Sequence, residues 1–319
     1  MTNSTTIVCP FAIDIDRGLS SAPKFLQSKY FYDDEGSRIF QEIMDMPEYY
    51  LTNAELEILT LQAAGIHRGL GFESGYNIIE LGAGDGMKTK AFLQYLVNNN
   101  IDVTYMPLDI SQEAMNILES DLSRQMPQLE IQTLVGDYFE VLGNLERDGR
   151  PALFLFLGSN IGNYSPDAAK QLLEHFGNYM TEGDFLLLGY DLKKNPRTIR
   201  NAYDDPHGIT ARFNLNLLTR LNRELGANFQ LDQFDFYASY HPETGEVKSY
   251  LVSLEEQTVE IPTLEKCYHF EKDELIYTEL SKKYSIPEMS ALAVEIGFMP
   301  TQHFTDKGGL FCDSLWRKA

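Results

Sequence analysis

Residues 78–93 read IIELGAGDGMKTKAFL. A stretch that reads as a buried strand, Asn77 to Leu81, enters a turn with glycine at 82, 84 and 86, and a helical pattern follows. Glycine lets the main chain turn tightly and lets a ligand approach the backbone. A dinucleotide fingerprint would be GxGxxG. Counted from Gly82, that pattern needs glycine at 87, where this chain has Met87. The spacing is instead ExGxGxG, from Glu80 to Gly86.

Around this turn, short apolar runs alternate with helical patterns, the signature of a parallel sheet with crossover helices. Strands are expected over Asn77–Leu81, Val103–Leu108, Glu130–Val135, Ala152–Leu157 and Phe185–Gly189, with helices over Lys88–Val97, Gln112–Leu122 and Pro166–Tyr179. ALFLFL and FLLL are apolar on both faces, as central parallel strands are. After Asp191 the alternation stops. The stretch KKNPRTIRNAYDDPHG is polar and turn-rich. It leads to a helix with Ile209, Phe213, Leu217 and Leu221 on one face, then to antiparallel segments with a turn at Pro242–Gly245. A helix over Met289–Ile296 and two short strands joined by DKGG close the chain. The first ~50 residues look irregular, with Ile39, Phe40, Ile43 and Met44 at helical spacing and a helix capped by Thr52 or Asn53. The reading is an α/β fold: a doubly wound, mostly parallel seven-stranded core over residues 54–193 plus 284–319, and a second α+β unit over 1–53 plus 194–283.

Strand ends carry the chemistry in such a sheet. Glu80 to Gly86 is similar to the donor-binding turn of class I S-adenosylmethionine-dependent methyltransferases. Asp109 closes the next strand in TYMPLDIS, 23 residues past Gly86, where an acid accepts from ribose hydroxyls. Asp137 in GDYFE is placed to accept from an adenine amino group, and Tyr138 to pack on the base. A ligand-free glycine turn is the bland alternative for the first of these, and solvated loop acids for the others. At the fourth strand, Gly158 and Asn163 in GSNIGNYSP lie where a methyl acceptor would sit. Asn163 offers both an amide donor and an amide acceptor. The alternative is Asn163 as cap of the helix starting at Pro166.

Several further strings occur together: KYFYDDEGSRIFQEIMDMPEYYLTNAE (29–55), NAYDDPHGITARFNLNLLTRLNRELGANF (201–229) and YTELSKKYS (277–285). With the glycine turn and FLGSNIGNYSP, this combination resembles the histidine-specific Nα-methyltransferases of ergothioneine biosynthesis, from about Ala22 to the C-terminus. The resemblance implies that S-adenosyl-L-methionine is held by Gly82, Lys88, Asp109, Asp137 and Tyr138, and leaves as S-adenosyl-L-homocysteine. It implies that Tyr49, Asn163 and Tyr203 meet the carboxylate and amine of L-histidine, with Tyr32, Phe40 and Gly158 nearby. Glu279 and Ser281 would read the imidazole. In EVKSYLVS, Ser249 stands where the family places a Met packed near that ring. A neutral imidazole has one donor and one acceptor nitrogen, which suits a carboxylate and a hydroxyl two residues apart on an extended segment. The expected product is the betaine hercynine, with no strong catalytic base. The alternatives are an Nα-methyltransferase for another amino acid, such as an indole-bearing one, and a non-catalytic donor-binding protein.

Composition narrows the rest. The 319 residues carry 26 Lys plus Arg against 47 Asp plus Glu, a net charge of −21. Such a chain is unsuited to nucleic acid or an anionic membrane surface. Cys9, Cys267 and Cys312 are far apart, without a CxxC pair, so no disulfide framework is expected and a reducing compartment fits. The six histidines lack HxH or HxxxH spacing, so no metal site is expected. The opening residues show no basic region followed by an apolar stretch. A cytoplasmic monomer is expected.

Overall fold

The computed structural model describes residues 9–319; the leader-free reading of the first eight lies outside them. Two compact units emerge: the described part of Met1–Tyr49 with Lys194–Ser281, and Tyr50–Lys193 with Lys282–Ala319.

The second unit is built on a mostly parallel sheet. Its strand order is Phe298–Thr305, Phe311–Lys318, Phe185–Asp191, Ala152–Phe156, Tyr76–Leu81, Val103–Asp109 and Glu130–Ile131, with Leu134–Val135 also pairing to Val103–Asp109. The expected strand over Glu130–Val135 is therefore two short pieces at the sheet edge. Ala152–Phe156 and Phe185–Asp191 are buried along their whole length, as the apolar runs ALFLF and FLLL lead one to expect, and the second strand ends on the buried Asp191. The chain starts at Tyr76–Leu81, winds outward through Val103–Asp109, and returns on the other side at Ala152–Phe156. The sheet order thus reverses between Tyr76–Leu81 and Ala152–Phe156, which is where an open α/β sheet binds its ligand. The final hairpin runs antiparallel, with Phe311–Lys318 pairing to Phe185–Asp191 and to Phe298–Thr305. Phe154, Phe156, Phe176, Leu186, Leu188 and Trp316 are among the residues of its core.

Two helix starts differ from expectation. Thr52 and Asn53 lie inside the helix Leu51–Leu61, and Tyr50 is its N-cap without a side-chain capping bond. Thr52 is buried, and the Tyr50 hydroxyl donates to Asp191 at 2.8 Å. Tertiary contacts place this helix end, and both capping residues fall inside its first turn, past the N-cap position. The last helix runs Ile286–Glu295 and not from Met289. Ser285 and Glu288 form a capping box, and Pro287 fits the first turn, where it gives up no hydrogen bond.

The first unit holds a four-stranded sheet, ordered Lys24–Phe25, Leu275–Lys282, Glu246–Ser253 and Phe234–His241. The last two form a hairpin in continuous register across the Pro242–Gly245 turn. Gln257–Ile261 and Lys266–Phe270 make a separate antiparallel ribbon. The helix Ile209–Leu225 buries Phe213, Leu217 and Leu221, as its spacing predicts. Those residues join Ile39, Ile43, Leu251 and Ile276 in one core. The N-terminal stretch is more regular than its sequence suggests. Pro10–Leu19 is a helix whose Phe11, Ile15 and Leu19 recur every fourth residue and are buried. No described helix is long and apolar enough to cross a membrane.

Candidate active site

In the second unit, Gly82, Gly84 and Gly86 all take positive φ, +73°, +54° and +63°. L side chains rarely adopt that conformation, so the turn requires glycine here. A Cβ on Gly82 would lie 2.6 Å from the Tyr138 hydroxyl, whereas one on Gly84 would meet nothing within 4 Å. The main chain at Gly84 is therefore open to a ligand. Just before the turn, Glu80 accepts from Thr89 Oγ1 at 2.6 Å and from the Tyr105 hydroxyl. Burial pushes the Glu80 carboxyl up to about 7, against those two bonds. Glu80 thus pins the strand end to the helix that follows.

Asp109 closes the strand Val103–Asp109, as the sequence suggests. Its Oδ2 accepts from the Gly84 N–H at 3.2 Å and its Oδ1 from the Ser111 N–H at 3.0 Å. The two strand-end turns are therefore joined through one carboxylate. Asp137 is the N-cap of the helix Tyr138–Asn144 and accepts the Phe139 and Glu140 N–H groups on Oδ1. Both cap bonds use the same oxygen and leave Oδ2 outside the cap. Tyr138 packs at the edge of the core, 6.2 Å from the Phe176 ring, and burial raises its phenol. A glycine turn open at its main chain, an acid at the neighbouring strand end and a second acid beyond it fit a nucleoside with ribose hydroxyls and an amino-bearing base.

The turn after Ala152–Phe156 takes positive φ at two successive residues, Gly158 at +77°, which glycine accepts freely, and Ser159 at +57°, which is strained. Ser159 Oγ accepts from the Asp191 N–H at 3.0 Å, which offsets that strain with a hydrogen bond inside the sheet. Asn163 ends the short 3-10 helix Asn160–Asn163 and is exposed. The cap of the helix Pro166–Asn178 is Ser165, whose hydroxyl accepts from the Ala168 N–H. Asn163 is therefore not the capping residue.

Lys88, the N-cap of the helix Thr89–Asn98, also lies in the second unit, and the remaining expected residues lie in the first. Tyr32, Phe40, Tyr49, Tyr203 and Phe213 form a connected aromatic group with ring-centre separations of 5.5 Å for Tyr32–Phe40, 6.4 Å for Phe40–Tyr49 and 6.2 Å for Tyr49–Tyr203. Phe213 contacts both Tyr32 and Phe40 and was not singled out from sequence, because its helical spacing reads simply as core. Glu279 and Ser281 lie two apart on the strand Leu275–Lys282. Glu279 is half-buried and Ser281 buried. The Ser281 and Tyr203 hydroxyls are 2.9 Å apart. Tyr32 keeps 48% of its surface exposed, yet its phenol is raised, by desolvation first and by the Glu279 carboxylate and Tyr203 after it. Those effects place Tyr32, Glu279 and Tyr203 in one electrostatic neighbourhood. Ser249 is buried on Glu246–Ser253, opposite Ala238 of the neighbouring strand.

The reversed sheet order, the glycine turn and the strand-end acids define a class I methyltransferase core. The chain matches the family described as histidine-specific methyltransferase, SAM-dependent, over residues 11–318, and it belongs to that family. It is 35% identical over 305 residues to the histidine N-alpha-methyltransferase of Mycobacterium tuberculosis (strain CDC 1551 / Oshkosh), covering 96% of this chain and 94% of that protein. With the protein of the same name from Mycolicibacterium smegmatis (strain ATCC 700084 / mc(2)155) it shares 35% over 302 residues, 95% of this chain and 93% of the other. Ergothioneine biosynthesis protein 1 of Schizosaccharomyces pombe (strain 972 / ATCC 24843) is 29% identical over 272 residues, 82% of this chain and 35% of that longer protein.

Proposed function

We propose that this chain methylates the α-amine of L-histidine, carries it to the trimethylated betaine hercynine, and so performs the first step of ergothioneine biosynthesis. The family match and the names of its relatives support the substrate and the pathway. The observation that carries the histidine reading is the pair Glu279 and Ser281 on one strand, with Ser281 bonded to Tyr203. In this reading Tyr50–Lys193 with Lys282–Ala319 is the donor-binding unit, and the other unit supplies most of the residues for the amino acid. The three cysteines are free, which suits a reducing cytoplasm, and the chain acts there as a monomer.

When bound, S-adenosylmethionine supplies a sulfonium-activated methyl group. Gly82, Lys88, Asp109, Asp137 and Tyr138 hold it. Glu279 accepts the imidazole N–H. With Tyr203 donating to Ser281, the serine hydroxyl can donate to the second ring nitrogen. Tyr49, Asn163 and Tyr203 orient the carboxylate and amine, and Tyr32 and Phe40 with Gly158 line the approach. Aromatic faces accommodate the quaternary ammonium product. The work of the chain is positioning and exclusion of water, and solvent takes the amine proton before each transfer. Incubation with S-adenosylmethionine and each proteinogenic amino acid singly tests this reading. Mass spectrometry should show methyl gain on histidine up to the trimethylated product. Methylation of tryptophan in preference to histidine, or no turnover at all, would overturn it.

A further inference from the structure

Glu55 belongs to the helix Leu51–Leu61 and is 0% exposed. Both of its carboxylate oxygens accept. Oε1 takes the Gly158 N–H at 2.7 Å, and Oε2 takes the Lys88 ammonium. Lys88 is the N-cap of the helix after the glycine turn, and Gly158 follows the strand on the other side of the reversal in sheet order. One buried carboxylate therefore ties together the two turns that flank the expected ligand position. Asp313, also 0% exposed, sits opposite Gly189 on the neighbouring strand, and neither of its oxygens has a hydrogen-bond partner among the described residues. A Cβ on Gly189 would lie 2.2 Å from Glu55 Oε1 and 3.0 Å from Asp313 Oδ1. Both carboxyls thus crowd onto a residue that accommodates them only because it has no side chain. Desolvation holds the Asp313 carboxyl well above the usual carboxylate range, with Glu55 adding to the shift and Lys88 opposing it.

We propose that Glu55 is a positioning residue for donor binding: anchored on the Gly158 N–H, it holds the Lys88 ammonium in the arrangement the donor meets. The proposal rests on the assignment of Lys88 to the donor made above. A lysine side chain loses much rotamer freedom when it is fixed. Glu55 fixes it beforehand, so that cost does not fall on ligand binding. An ammonium has three protons, so the bond to Glu55 leaves others for an incoming carboxylate.

The test is calorimetric titration of S-adenosylhomocysteine into the wild type, Glu55→Gln, Lys88→Met and the double variant, with steady-state kinetics on each. Glutamine keeps the size and an acceptor for Gly158 but faces the ammonium without charge. Glu55→Gln should weaken donor binding roughly tenfold or more, the scale of one charge-assisted hydrogen bond. It should raise KM for the donor and leave KM for histidine unmoved. The double variant should bind no more weakly than Lys88→Met alone, because Glu55 acts through Lys88. If Lys88→Met binds the donor like wild type, the assignment of Lys88 fails and takes the proposal with it. If Lys88→Met weakens binding but Glu55→Gln does not, or if the two losses simply add, the positioning role is wrong while Lys88 stands. Should Glu55→Gln not fold, Gly189→Ala displaces the same carboxylate. It should weaken the donor in the wild-type background and have no further effect with Lys88→Met; unchanged affinity in the wild-type background would overturn the proposal.

Discussion

Replacing Asp109 by alanine should cost most of the affinity for the methyl donor and little of the fold. The carboxylate bridges the Gly84 N–H at 3.2 Å and the Ser111 N–H at 3.0 Å, both at half-buried turns. Water can replace those acceptors at a partly exposed site, so the change in stability should stay within about 1 kcal/mol. In the proposed site the donor has no such substitute for a charged acceptor of its ribose hydroxyls. A hydrogen bond to a charged group contributes about 1.5–3 kcal/mol. At 1.4 kcal/mol per decade, Kd for S-adenosylhomocysteine should rise roughly 10- to 150-fold. Asp109→Asn keeps one acceptor oxygen without the charge, so its loss should fall between wild type and Asp109→Ala. Calorimetric titration measures both, and thermal unfolding shows that the variants are folded. An unchanged dissociation constant in Asp109→Ala would remove Asp109 from the donor site and refute the reading of the strand end.

Asn163→Ala and Tyr203→Phe should each raise KM for histidine more than KM for the donor, and Tyr203→Phe also breaks the 2.9 Å bond to Ser281; kinetics with each substrate varied in turn will show a donor effect instead if the assignment is wrong. Glu80 makes stability depend on pH. Its carboxyl titrates near 4.5 when unfolded and about 7 when folded, so between those values the unfolded chain binds fewer protons and stability falls as pH rises. Glu80→Gln should remove up to about 3 kcal/mol of that fall, seen as a flatter midpoint-against-pH curve in urea unfolding. An equally steep curve in the variant would show that Glu80 is not the group responsible.

The parallel core was legible because its strands are short, apolar on both faces and punctuated by glycine. Those are local signals, whereas the strand order is set by long-range pairing and comes from the structure. The turn at Gly82–Gly86 and the acid Asp109 were legible for the same reason. Helix ends were less so. Thr52 and Asn53 are good capping residues by type, but the packing of Thr52 and the Tyr50–Asp191 bond place the helix start elsewhere. The helix Pro10–Leu19 was hidden because FAIDIDRGL alternates over a few residues before its fourfold spacing shows. Glu55 gave no signal at all. In a helical stretch an acid reads as a solvated face, and its partners Lys88 and Gly158 are 33 and 103 residues away. Ser281 and Tyr203 are likewise 78 residues apart, so their bond could not be read from spacing.

The proposed selection of histidine rests on Glu279. A half-buried carboxylate facing an imidazole N–H makes a charge-assisted bond of about 1.5–3 kcal/mol. The same carboxylate disfavours an indole or phenyl ring that leaves it desolvated and without a partner. Removing it should lower turnover of histidine and relax the barrier to tryptophan together. The direct measurement is a competition assay with histidine and tryptophan at equal concentration, for wild type and Glu279→Ala. The ratio of methylated products should shift toward tryptophan by roughly tenfold or more in the variant. A ratio equal to that of the wild type would contradict the assignment of Glu279 to the imidazole.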